Sequence, residues 1–436
     1  MSVLSPSSIF TSLQQEGPFA VRKSAIQPHP FSPSVRQWVK DLRKDSNHIS
    51  KYRALRSQLF EFLGIECFAE IDQLLHDPQL KHERSQRALH LLGNMFGISG
   101  TLKEIEDRVH EYARTADTVI HSLKDKILSP YASFIETTNE IEMANNPIEL
   151  ILIMFDDHYH KKARFEARRK LTLMTLAGSI DQRERETEIA NKFANFLAFL
   201  NSYVWSPDLK IGELDPVYLH SEHSSDDFHC INVQVLLPPE AEQHQPTPGE
   251  KLTLLKRRRF TIGERRIPIY VSIRKKPPEA KVLKLLRKNE KNPAIAVDDE
   301  LGLMAVLDNV SDIKLFQQHL TRSAAQANSL MVLEDISDTL TESSIYHGQA
   351  VGSSKQTPML KFFARLGGMR VELIIHTNQT WLNYMYQQDV AHNEYEVKRI
   401  FDSGVIELLF PHDIFHLDHQ KTRQEMIRFF RKQIES

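Results

Sequence analysis

Three stretches in the last third of the chain carry residue types able to hold a triphosphate and a divalent cation. The first runs from Gly263 to Lys276. As a strand, it would place Arg266, Pro268, Tyr270, Ser272 and Arg274 on one face and Ile267, Ile269, Val271 and Ile273 on the other. An aliphatic face fixed in a core, backing a face of Arg, Tyr and Ser, presents hydrogen-bond donors from a rigid platform. The second stretch is Ala294–Leu307, apolar except for Asp298, Asp299 and Glu300. Charges in such a run cost several kcal/mol if buried unpaired, so they sit at a strand start or bind something positive. The third is Val371–Thr377, where Glu372 stands before Leu373, Ile374 and Ile375. Mg2+ takes one or two carboxylates together with substrate phosphates. Asp299 and Glu372 on neighbouring strands could hold one such ion, with a salt bridge to a nearby arginine as the alternative for Glu372.

Residues 251–291 hold 15 Lys or Arg against 3 Glu. Such a block suits a phosphate cradle or a nucleic-acid track. For Lys281, Lys284, Arg287, Lys288 and Lys291 a solvated helix face is an equal reading. His220-Ser221-Glu222-His223, with Asp226, Asp227, His229 and Cys230 behind it, offers zinc-ligand types. Its spacing fits no standard pattern, and it reads as a solvated turn leading into a strand. His158 and His160, read as helical, do not share a face. His412-Asp413 reads as a turn cap. No P-loop, GxGxxG or GxSxG occurs.

The elements that must position these residues follow from hydrophobic periodicity. Residues 1–33, rich in Ser, Pro and Gln, read as a flexible arm. Residues 34–204 read as a helical domain, with two long helices between Pro147 and Phe199 broken near Gly178, and with the dense charge of Lys161–Arg185 on a solvated face. From residue 205 to 436, β-type runs at Phe228–Leu237, Leu252–Leu255, Ile267–Ile273, Ala294–Leu307, Leu360–Leu366 and Met369–Thr377 alternate with helical patterns at Asp312–Ala325 and Asn378–Phe401. A last helix spans His419–Ile434. Gly367-Gly368 marks a hairpin turn, and Pro238–Gly249 an exposed loop. The fold class is α+β: an all-helical N-terminal domain, then a mixed sheet flanked by helices.

At 436 residues two domains are expected. A net charge of −2 makes the whole molecule no polycation. The two cysteines, far apart, suit a reducing compartment. No apolar run approaches the roughly 18 residues of a membrane span, and no signal peptide is read at the N-terminus. A cytoplasmic protein with no membrane partner is expected.

The order of these motifs resembles the synthetase domain of the RelA/SpoT family, over roughly residues 255–410. That family transfers pyrophosphate from ATP to the 3′-hydroxyl of GDP or GTP on a nucleotidyltransferase-like fold. Arg266, Ser272 and Lys276 keep the spacing of its ATP-phosphate-binding Arg, Ser and Lys. Asp299-Glu300-Leu301-Gly302 stands where the family has Asp-Leu-x-Gly, which puts Asp299 in the place of its metal-binding aspartate. Val371–Thr377 and Ala391-His392-Asn393-Glu394-Tyr395 match its third motif in part. The resemblance implies Mg2+, a nucleoside triphosphate donor and a nucleotide or RNA acceptor. It implies Glu372 as second metal ligand or catalytic carboxylate, and a substrate-binding set of Arg266, Ser272, Arg274, Lys276 and His392. Met304, Ile374 and His376 replace family residues concerned with the acceptor, and the guanine-stacking loop is echoed only by Tyr346-His347-Gly348-Gln349. The alternative is a catalytically degenerate nucleotide-sensing or RNA-binding protein. The N-terminal helices lack the family's His-Asp hydrolase pair, since Phe155-Asp156-Asp157-His158 has it reversed.

Overall fold

The computed structural model describes residues 41, 44, 46–206, 214–340 and 357–435. The arm at residues 1–33 and Tyr346–Gln349 lie outside the described residues. The architecture is α+β: N-terminal helices, then an eight-stranded mixed sheet flanked by helices. The described chain divides into two compact units. The first comprises residues up to Arg183 with Pro278–Pro293 and Ile400–Thr422; the second comprises Glu184–Pro277, Ala294–Arg399 and Arg423 onward. No described helix is long and apolar enough to cross a membrane.

In the first unit, helix Leu102–Ser122 opens on a capping box, Thr101 with Glu104, and buries Ile105, Val109, Tyr112, Ala113 and Val119. Helix Lys161–Thr187 corrects two expectations. It runs unbroken through Gly178, where a Cβ would lie 2.6 Å from Phe96 Cζ. The glycine serves close packing, and the break falls instead at Glu188, which has a left-handed φ of 51°. Its charges are also not all solvated: Glu166, Arg169 and Lys170 are buried. Lys170 Nζ donates to Asp117 Oδ2 at 2.8 Å and to the carbonyls of Ile141 and Glu142 at 3.0 and 3.1 Å. Arg169 donates to the Leu409 carbonyl at 2.7 Å, and Glu166 accepts from Thr138 N at 3.0 Å. Buried charge is tolerated here because each group has partners. Lys281 and Lys284, on helix Pro278–Lys288, are likewise buried and not on a solvated face. His158 and His160 lie in the turn before Lys161, outside any helix.

The second unit holds the sheet. Its strands are β1 Asp215–His223, β2 Cys230–Leu236, β3 Glu250–Ile262, β4 Arg265–Lys275, β5 Leu301–Leu307, β6 Val332–Asp338, β7 Leu360–Leu366 and β8 Met369–Thr377. Their order is β2-β1-β3-β4-β5-β8-β7-β6. All neighbours are antiparallel except β5 and β8, which are parallel. β7 and β8 match their expected bounds, and Gly367 and Gly368 between them both take positive φ, as a tight hairpin requires. One sheet face is apolar. Ile267, Ile269, Leu303, Ala305, Leu373 and Ile375 pack there with Phe316 and Leu320 of helix Val310–Gln326 and Phe196 and Phe199 of helix Ile189–Phe199. Each such large side chain contributes about 1.5–3 kcal/mol on burial. Over the other face lies helix Asn378–Tyr386, whose Trp381 and Leu382 pack on Val306, Val217 and Leu255.

Two sequence expectations change in this unit. The acidic trio is not within a strand. Helix Ala294–Val297 precedes it, Asp298 N bonds Ala294 O at 2.8 Å, and Glu300 N bonds Val297 O at 3.0 Å. The three acids therefore terminate a helical turn at the entrance of β5. And residues His220–His223 are not a polar loop but the end of β1.

Candidate functional site

The register of β4, β5, β8 and β7 builds one row of side chains on the less apolar face. Arg274 pairs with Gly302, Gly302 with Glu372, and Glu372 with Phe363. Because Gly302 has no side chain, the Arg274 stem passes over it: a Cβ on Gly302 would lie 3.0 Å from Arg274 Nε. The guanidinium then reaches Glu372 Oε2 at 3.3 Å. From the next strand, Lys361 Nζ meets Glu372 Oε1 at 2.9 Å.

Burial pushes the Glu372 carboxyl up, but Lys361, then Lys276 and Arg274, outweigh it and hold it below the ordinary carboxylate value. Lys276, just past the end of β4, donates to the Asp299 carbonyl at 2.8 Å and meets Asp299 Oδ1 at 2.9 Å. Lys276 thus contacts one candidate carboxylate and acts electrostatically on the other. Arg274, Lys276 and Lys361 are thus linked through Glu372, and Lys276 also to Asp299, with the Arg274 side chain 52% exposed and so open to a ligand.

His392 opens helix His392–Asp402, and its Nδ1 lies 2.7 Å from the Tyr384 hydroxyl. Burial pushes Tyr384 up to about 12, with Arg274 opposing. Burial lowers His392; Glu396 opposes this and Arg274 reinforces it. Arg274 therefore acts both on the carboxylate cluster and on the Tyr384–His392 pair. His376, fully buried beneath, is pushed down to about 4 by burial, against the Pro358 carbonyl.

Of the residues expected from sequence, Arg274, Lys276, Asp299 and Glu372 come together, Ser272 lies two positions from Arg274 on its face, and His392 joins through Tyr384. Arg266 does not join them. It sits by the β3–β4 turn, pairing with Thr261. At about 3.3 Å per residue, it lies roughly 30 Å along the strand from Lys276. Lys361 and Tyr384 were not expected. For Lys361 a signal exists: it alternates with Leu360 and Phe362, which face the core, so it must share the face of Glu372. No protein-family model matches the chain, and no curated protein matches it.

Proposed function

We propose that this polar sheet face binds the phosphates of a nucleoside triphosphate and, with Mg2+, transfers its pyrophosphoryl or nucleotidyl group to a nucleotide or RNA acceptor, in the manner of the RelA/SpoT-like synthetases that the motif order resembles. The observation that carries the reading is that Arg274, Lys361 and Lys276 all act on Glu372, while Lys276 also pairs with Asp299. A polyanion entering here exchanges internal ion pairs for bonds to phosphate oxygens, which guanidinium and ammonium donors favour. The displaced carboxylates are the hard oxygen donors that Mg2+ takes alongside phosphates, so Asp299 and Glu372 fit the ion. When bound, Mg2+ would neutralise phosphate charge.

The chain's own residues would do the rest. Arg274, Lys276 and Lys361 bind and orient the phosphates. His392, kept neutral by burial, accepts the proton of the acceptor hydroxyl, and Tyr384 fixes its ring. The hydroxyl oxygen forms a bond to the β-phosphorus with release of the nucleoside monophosphate, or to the α-phosphorus with release of pyrophosphate. Labelled ATP and Mg2+, offered with nucleotides and with tRNA and read by mass spectrometry, tests this. A product that Asp299→Ala abolishes supports it; the absence of any product with every acceptor rejects it.

A second reading has its own observation. Both carboxylates are already paired, and Met304 and Ile374, apolar, occupy the row beside Arg274 and Glu372. A nucleotide sensor or RNA-binding protein without catalysis needs no more. In that case Asp299→Ala leaves ligand binding intact, and binding to RNA falls steeply with salt.

A further inference from the structure

His223 and His220, three residues apart on β1, have opposite chemistry. His223 faces the core with both nitrogens engaged: Nδ1 is 3.0 Å from the Phe228 carbonyl and Nε2 is 2.8 Å from Ser221 Oγ. His220 is also buried, at 8% exposure, yet its Nε2 has no hydrogen-bond partner among the described residues. The segment that follows β2 covers it. Helix Pro238–Glu242 packs on β1, and the His244 ring lies 4.1 Å from that of His220. His244 Nε2 is likewise buried without a hydrogen-bond partner among the described residues.

Both nitrogens face one carboxylate. Glu250 Oε1 is 3.5 Å from His220 Nε2, and Glu250 Oε2 is 3.6 Å from His244 Nε2. These are too long for hydrogen bonds. Two ligand atoms of a tetrahedral ion with bonds near 2.05 Å lie about 3.3–3.4 Å apart, and each nitrogen stands near that distance from a different oxygen of the same carboxylate. The three donor atoms all lie within 4.8 Å of one another. Thr247 N donates to Glu250 Oε2 at 2.7 Å, which fixes the carboxylate and closes the loop onto β3. Directly across the ladder, Glu222 pairs with Glu250. Like charges in that position are unfavourable unless a cation lies between or beside them.

We infer that His220, His244 and Glu250 form a binding site for one borderline divalent cation of the zinc class, with its fourth position open to water or Glu222. Two imidazoles exclude Mg2+ and Ca2+ as the preferred ion and select Zn2+ or its neighbours in the first transition row. The ion would use both buried nitrogens, which have no hydrogen-bond partner among the described residues and face Glu250. It would also clamp residues 238–249 to the sheet, joining the loop to β1 and β3. The site shares no residue with the phosphate-binding cluster.

The test is zinc titration of the full-length, chelator-stripped chain in competition with a chromogenic chelator. One Zn2+ per chain is expected, with no comparable binding of Mg2+. His220→Gln and His244→Gln should each weaken the site more than about 100-fold, beyond what loss of an outer partner costs. His229→Gln, which removes an exposed histidine paired with Asp227, should not. His244→Gln alters a loop residue and leaves the sheet core untouched, so it decides the matter if His220→Gln fails to fold. Zinc should also slow proteolysis within residues 238–249 of the wild type. Equal zinc affinity in wild type and His244→Gln, or no stoichiometric binding by the wild type, overturns the inference.

Discussion

Arg274 reaches Glu372 across Gly302, at 3.3 Å, through the space that any larger residue at position 302 would fill. Gly302→Val should therefore displace the guanidinium from Glu372. Crowding within a central strand costs about 1–3 kcal/mol. The expected outcome is a folded protein, by circular dichroism, with ATP binding weakened at least about tenfold, the loss of one charge-assisted bond.

Glu372→Gln should destabilise the protein in a pH-dependent way. In the fold its carboxyl titrates below 4.5. Its ion pairs therefore contribute fully above pH 4.5 and are lost as pH falls through the lower folded value. The variant should be about 1–3 kcal/mol less stable than wild type at pH 7, partners being partly exposed. Urea unfolding should show the gap narrowing below pH 4.5.

His376 makes stability fall with pH in the same direction, but over a higher range and because burial disfavours its charged form. It ordinarily titrates at 6.5 and is pushed down to about 4 in the fold. Between those values the unfolded chain binds the extra proton, so stability falls as pH drops from 6.5 toward 4. The full effect is about 3 kcal/mol. His376→Asn should flatten this part of the stability profile in urea unfolding at pH 7 and pH 4.5.

Lys170→Met removes the donor shared by Asp117, Ile141 and Glu142. Asp117, already pushed up by burial against the pull of Lys170, would lose its main counter-charge and keep only the weaker pull of His121 among those described. A loss of about 3–5 kcal/mol is expected, read as a drop in thermal midpoint.

Strands with strict alternation were legible in the sequence. β7 and β8 appear with their bounds because Leu360, Phe362, Ala364 and Leu366 face one way and a Gly-Gly turn separates the pair. β1 was missed because its end reads His-Ser-Glu-His, polar by type, though Ser221 and His223 are buried and bonded to each other. The charges of Lys161–Arg185 looked solvated because a sequence does not display the carbonyls and the carboxylate that receive Lys170. Gly178 looked like a break because Phe96, the ring it makes room for, is distant in the chain. At the candidate site, Asp299 and Glu372 stood out as charges in apolar runs. Arg266 shared the motif spacing, but an extended strand carries it away from Lys276. His244 and Glu250 could not be linked to His220 from spacing, since a strand and a loop crossing bring them together.

The central claim is that Arg274, Lys276 and Lys361 receive the phosphates of a nucleoside triphosphate. Calorimetric titration of Mg-ATP into the wild type, Arg274→Gln and Lys361→Gln tests it most directly. Saturable one-to-one binding by the wild type is expected, with each variant folded and weakened at least about tenfold. Equal affinity in all three proteins, or no binding by the wild type at millimolar Mg-ATP, would contradict it.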